Sequence, residues 1–179
     1  MLRLFIAIKL NDSVIEQLQN ICFGVKNARW LPSEQLHLTI RFIGDCDETM
    51  YHDIISVLEH ISLSSFNLSI KGVGYFPPRG NPRILWAGLQ PSPELQELHL
   101  AINKKLHTLG LTEERRKFYP HITLARLREK TSSRAIVPFI TRNSLFKIAP
   151  FHTTAFHLYS SILRREGALH QIEKTFDLM

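Results

Sequence analysis

The 179-residue chain has only two cysteines, Cys22 and Cys46, with no CxxC pair and no metal-ligand spacing. A disulfide framework is thereby excluded, and free thiols in a reducing, cytoplasmic compartment are expected. No Gly-rich phosphate loop or dinucleotide fingerprint follows any strand-like segment, which disfavours a doubly wound nucleotide-binding fold. HExxH, a GxSxG elbow and a Cys–His signature are all missing, so zincin and Ser or Cys nucleophile chemistry lack support. No apolar run is long enough to span a bilayer. The opening MLRLFIAIKLND lacks a cleavage-site pattern and runs into a helix start, so it reads as a first strand and not as a signal peptide.

What remains is ordinary for a folded domain: 44% hydrophobic and 21% charged residues, at a length that can bury a core without staples. A net charge of +6 leans towards anionic partners such as RNA.

Along the chain, LRLFIAIKL predicts a strand and Asn11-Asp12-Ser13 a helix start, followed by an amphipathic helix over 13–26. ARWLPSEQ reads as a connector. A strand follows from Leu36 to Ile43, ended by Gly44-Asp45, and then a helix from Glu48 to Ile61. FNLSIKGVGYF and RILWAGL read as strands around a PPRGNP loop. PSPELQELHLAINKKLHTLG is a third helix stopping at Gly110, and the basic connector TEERRKFYP leads to another strand. A short helix near Ala135–Thr141 precedes two strands, TTAFHLYSSIL and LHQIEKTFDL, paired through an RREG turn. The whole predicts one compact α+β unit over 1–179, with two similar lobes.

Two strands carry the same text. HLTIRFIGD begins at His37 and HITLARLRE at His121. Strict alternation puts His37, Thr39 and Arg41 on one face and Leu36, Leu38, Ile40 and Phe42 on the other. In the second strand His121 and Thr123 share a face, and Arg126 falls on the opposite one unless the strand ends, twists or bulges at Ala125. One HxT in a strand is unremarkable wet-face polarity. Two copies, related by a pseudo-two-fold axis, can converge on one cleft. Paired imidazoles then suit acid–base chemistry near neutrality, while hydroxyls and a guanidinium can hold phosphate oxygens. That combination points to phosphodiester chemistry without a metal. The other seven histidines, His52, His60, His99, His107, His152, His157 and His170, sit without ligand spacing and are expected to be surface or core residues. Phe42 and Tyr119 are candidates to stack on a base, with core packing the favoured expectation.

HLTI and HITL resemble the two HxTx motifs of the 2H phosphoesterase superfamily. More closely, RLFIAIKL, RWLPSEQLHLTIRFIGD, PRILWAGL, FYPHITLAR and LYSSIL are similar to the bacterial and archaeal RNA 2′,3′-cyclic phosphodiesterases, often labelled 2′-5′ RNA ligases. The resemblance implies a two-lobed, internally duplicated antiparallel-sheet fold of α+β class, with helices packed outside and the histidines in a central cleft. It implies His37 as proton donor to the leaving oxygen, His121 as the base that activates water, Thr39 and Thr123 as phosphate binders, and Arg126 near the phosphate. The implied reaction opens a terminal 2′,3′-cyclic phosphate on RNA to a 2′-phosphate. The alternatives are 2′-5′ ligation or cleavage by the same histidines, and a nucleotide-binding module without turnover. No cofactor, no metal and no membrane partner is expected; the expected partner is an RNA or oligonucleotide end, met by a monomer.

Overall fold

The computed structural model describes residues 1–112, 116–164 and 167–179. Part of the basic connector (113–115) and the two middle residues of the expected RREG turn (165–166) lie outside the described residues. In chain order the elements are β1 (Leu2–Lys9), α1 (Asp12–Gln19), β2 (Ala28–Trp30), a 3-10 turn (Ser33–Gln35), β3 (His37–Cys46), α2 (Glu48–Leu58), β4 (Phe66–Phe76) and β5 (Ile84–Leu89). There follow α3 (Pro93–His107), β6 (His121–Leu127), α4 (Ser133–Arg142), β7 (Lys147–Thr153), β8 (Ala155–Arg164) and β9 (Gly167–Asp177).

Helices α1, α2 and α3 start where short polar side chains accept the first free N–H groups, whereas Ser132 before α4 makes no such bond. Asn11 Oδ1 accepts from Val14 N at 2.9 Å, Asp47 Oδ1 from Met50 N at 2.8 Å, and Ser92 Oγ from Leu95 N at 3.1 Å. Helix α1 is shorter than the predicted 13–26. It ends at Gln19 with Asn20 as its C-cap, and further on Gly24 takes φ +82°, a value that favours glycine and does not continue a helix. Two short strands, β2 and β7, were not foreseen.

All strands join one curled antiparallel sheet in the order β7-β4-β5-β6-β3-β1-β8-β9, with β2 added beside β6. The order is symmetric about the β6–β3 junction. Strands β1, β3 and β8 match β5, β6 and β4, which makes the chain a duplicated β-α-β-α-β unit. Each half-sheet takes its outer strand from the other repeat, since β4 pairs with β5 and β8 pairs with β1. The halves meet at Leu38↔Ile122, both fully buried. The main apolar core, including Ile6, Leu38, Ile54, Leu85, Leu98, Ile122 and Phe139, runs beneath both halves, and Phe5, Ala7 and Tyr159 form a small second cluster. One sheet face is thus committed to burial, and the opposite face is left for chemistry.

Candidate active site

The decisive local event is a bulge, and it occurs twice. Along β1–β3 the partners run Ala7↔Thr39 and then Ile6↔Arg41, so Ile40 is the extra residue. Along β5–β6 they run Trp86↔Thr123 and then Leu85↔Ala125, so Leu124 is the extra residue. A bulge shifts the side-chain parity of everything beyond it. In β6 it returns Arg126 to the face of His121 and Thr123: of the strand end, twist or bulge that could admit it to the cleft, the structure has the bulge, at Leu124 and not at Ala125. In β3 it does the reverse to the expected assignment. Arg41 turns to the buried side, 5% exposed, and donates to the Thr112 carbonyl. Phe42, expected in the core, is 61% exposed and lines the cleft. Tyr119 is also exposed and not buried in a core. Phe42 and Arg126 therefore occupy equivalent places in the two halves.

The register Leu38↔Ile122 sets His37 beside Thr123 and Thr39 beside His121 across the seam, because both ladder partners point into the core. The imidazoles are then diagonal neighbours, a relation that in a regular sheet spans about 7–8 Å between backbones. The cleft has a volume of about 600 Å³, and His37, Thr39, Thr123, Arg126, Phe42 and His170 line it. His121 stands just beyond this lining, on the face it shares with Thr123. Its ring packs on Phe76 at 5.0 Å and Trp86 at 6.3 Å. In the other half, His37 packs on Phe5 at 5.0 Å and Tyr159 at 6.0 Å. Tyr159 and Phe76 are equivalent positions of the two repeats.

The sequence model of the 2′-5′ RNA ligase superfamily matches residues 9–164. The chain belongs to this superfamily. An Archaeoglobus fulgidus protein named RNA 2′,3′-cyclic phosphodiesterase is 28% identical over 179 residues, covering 98% of this chain and all of the relative. A Thermotoga maritima protein of the same name is 34% identical over 139 residues, 71% of each chain. Among solved structures, Escherichia coli LigT complexed with 3′-AMP aligns with a TM-score of 0.82 at 26% identity, covering 99% of this chain and 98% of LigT. The Thermus thermophilus protein TT0787 aligns at 0.84 and 24% identity, over 98% and 97%, which speaks to the fold.

In this member of the 2′-5′ RNA ligase superfamily, each HxT imidazole is oriented by backbone two residues upstream. His121 Nδ1 lies 2.7 Å from the Tyr119 carbonyl, and since a carbonyl only accepts, the ring donates from Nδ1 and leaves Nε2 bare. His37 makes the corresponding bond to the Gln35 backbone. Burial pushes His121 below the ordinary histidine value, partly offset by that Tyr119 bond. His37 is lowered to about 4, first by burial and then by the charge of His170, against the Gln35 bond. In the ligand-free protein both rings are therefore neutral at pH 7.

Three guanidiniums face the cleft, from Arg3 on β1, Arg29 on β2 and Arg126 on β6, and among the described lining residues there is no Asp or Glu. Such a site attracts an anion. No group of three His, Cys, Asp or Glu side chains converges as a ligand set among the described residues. His170 was expected to be a plain surface or core histidine; instead β9 carries it to the cleft, its ring 5.3 Å from that of His37. Arg3 and Arg29 were likewise missed, since each sits in an apolar or short strand with no motif of its own.

Proposed function

We propose that the chain is an RNA 2′,3′-cyclic phosphodiesterase that opens terminal cyclic phosphates to 2′-phosphates by metal-independent acid–base catalysis. The carrying observation is the matched pair of bulged HxT strands, which bring two imidazoles and two hydroxyls to one seam. The names of the relatives over most of the chain point the same way.

The phosphate sits over the β3–β6 junction, its non-bridging oxygens accepting from Thr39 and Thr123. Arg126 adds a permanent charge at the rim, where charge grows as the phosphorane forms. His121 Nε2, bare because Nδ1 is tied to Tyr119, takes a proton from water as the water oxygen bonds to phosphorus. The P–O3′ bond breaks, and His37 gives its proton to the departing 3′-oxygen. The anionic substrate supplies what His37 needs: a nearby negative charge raises its proton affinity above the low value it has in the empty cleft. Phe42, exposed on the lining, offers a face for the terminal base.

The test is an RNA oligonucleotide ending in a 2′,3′-cyclic phosphate, incubated with pure protein in EDTA, with the product phosphate located by ³¹P NMR. A 2′-phosphate is expected. A 3′-phosphate, or an intact cyclic end, would overturn the proposal. A parallel arm with a 2′-5′-linked oligonucleotide reads the reverse chemistry that the superfamily's name describes.

A further inference from the structure

The duplication makes the two HxT imidazoles equivalent, so the repeat itself does not say which ring holds a proton. Their surroundings break the symmetry. His121 is faced by the rings of Phe76 and Trp86, with Tyr119 packed against both. His37 has Phe5 and Tyr159, and in addition His170.

His170 sits opposite Ser161 in the β8–β9 ladder. Its ring meets His37 edge-on, at 5.3 Å and 76°, and meets Phe5 edge-on at 5.0 Å and 83°. Its Nδ1 is buried and has no hydrogen-bond partner among the described residues. Protonating that nitrogen would bury an N–H with nothing to accept it, and would set a cation against His37.

We propose that His170 and His37 form one unit that holds a single proton, with His170 the positioning residue that decides whether His37 has it; this rests on the assignment of His37 as proton donor made above. The charged and titratable groups around the pair come from several elements. His170 faces His37 from β3 and Arg126 from β6, while Arg3 of β1 and Arg29 of β2 line the same cleft. Lys9 of β1 is paired with His37 in the ladder, and Tyr159 of β8 lies against its ring. Among these described groups every permanent charge is positive, so a second proton on the pair is strongly opposed. Both rings are accordingly lowered, His170 by burial and then by Arg126.

The consequence for turnover is a competition. As pH falls, the less deeply buried His170 takes part of the pair's proton in spite of its unaccepted N–H, and while it is there His37 has none to give the leaving oxygen. His170 thus throttles the reaction on the acid side.

The experiment is an NMR titration of the histidine rings in the ligand-free protein, with His170→Phe and His170→Tyr as variants that keep a ring against Phe5 and His37. In wild type, His37 and His170 should titrate as a coupled pair, each sensing the other's step. In either variant the His37 midpoint should rise by about 0.6 to 2 pH units, the span for a unit charge 5.3 Å away between bulk-water and protein-like screening. The His121 midpoint should stay in place. The ratio of single-turnover kcat at pH 5 to that at pH 8 should increase severalfold in the variants. Independent single-site curves in wild type overturn the coupling, whether or not the variants fold. A moved His37 midpoint with an unmoved kcat ratio overturns the role in turnover. Loss of activity at every pH makes His170 the acid itself and also overturns the proposal. The titration needs no substrate, so its outcome is separable from failure of the cyclic-phosphate assay.

Discussion

Replacing Thr39 and Thr123 with valine, singly and together, asks whether the two halves grip one phosphate. Both side chains line the cleft on the wet face of their strands. Neither hydroxyl has a protein partner among the described residues, so the exchange removes no internal hydrogen bond. Valine keeps the branched shape in a strand, where such residues fit well. Stability should therefore stay nearly constant, and the whole effect should fall on the bound state. A hydrogen bond to a charged group contributes about 1.5–3 kcal/mol, which converts to about 10- to 150-fold in kcat/KM for each single change. Because the hydroxyls flank the same anion, the double variant should lose more than either single one, with a coupling energy detectable in the cycle. The assay is kcat/KM on a cyclic-phosphate RNA end, with thermal melts by circular dichroism as the fold control. Wild-type kinetics in the double variant, with an unchanged melt, would refute the shared grip.

Four further outcomes are expected. His37→Ala and His121→Ala should each lose about 10²–10⁴-fold in kcat while remaining folded, and full activity in either removes that ring from the mechanism. The profile of kcat/KM against pH should be bell-shaped with its maximum on the acid side of 6.5, because both imidazoles are lowered in the free protein; a flat profile from pH 5 to 9 under rate-limiting chemistry contradicts this. Stability should also fall with acid: His37 is depressed to about 4, so the unfolded chain binds the extra proton first, and on the order of 3 kcal/mol is lost as pH drops from about 6.5 to 4. Urea melts of wild type and His37→Phe at pH 7 and pH 4.5 measure it, the variant losing less. Finally, a Cβ at Gly74 would lie 2.3 Å from the Trp86 indole, so Gly74→Ala should cost about 1–3 kcal/mol and reduce kcat through the ring that Trp86 packs on, His121; an unchanged melting temperature counts against that packing.

The sequence made the HxT faces legible because alternation needs only local text: His37 with Thr39, His121 with Thr123, and apolar residues behind them. Alternation fails one residue later. A bulge is set by how the neighbouring strand is registered, here Ile6 and Ala7 or Leu85 and Trp86, and neither strand announces it by itself. That single offset explains why Arg41 and Phe42 were assigned to the wrong faces and why Arg126 looked misplaced. Strand β2 was hidden by its three-residue length beside a proline, and β7 by Pro150 within an edge strand. His170 had no motif to mark it. Its place follows from β9 pairing with β8, β8 with β1 and β1 with β3, a chain of three ladders that no sequence window spans.

The exchange of outer strands between the repeats has a consequence for how the molecule comes apart. The halves do not follow the repeats: the one holding His121 runs continuously from β4 to β7 but takes β4 from the first repeat, and the one holding His37 joins β1 and β3 to β8 and β9 from the far end of the chain. A chain severed in the loop between β4 and β5 would yield two fragments, each lacking a strand that the other keeps. They would regain order only by complementation, as an interlocked pair. Under denaturant the two imidazoles accordingly share one fate, and no subglobal opening that releases β4 or β8 leaves a working half-site behind.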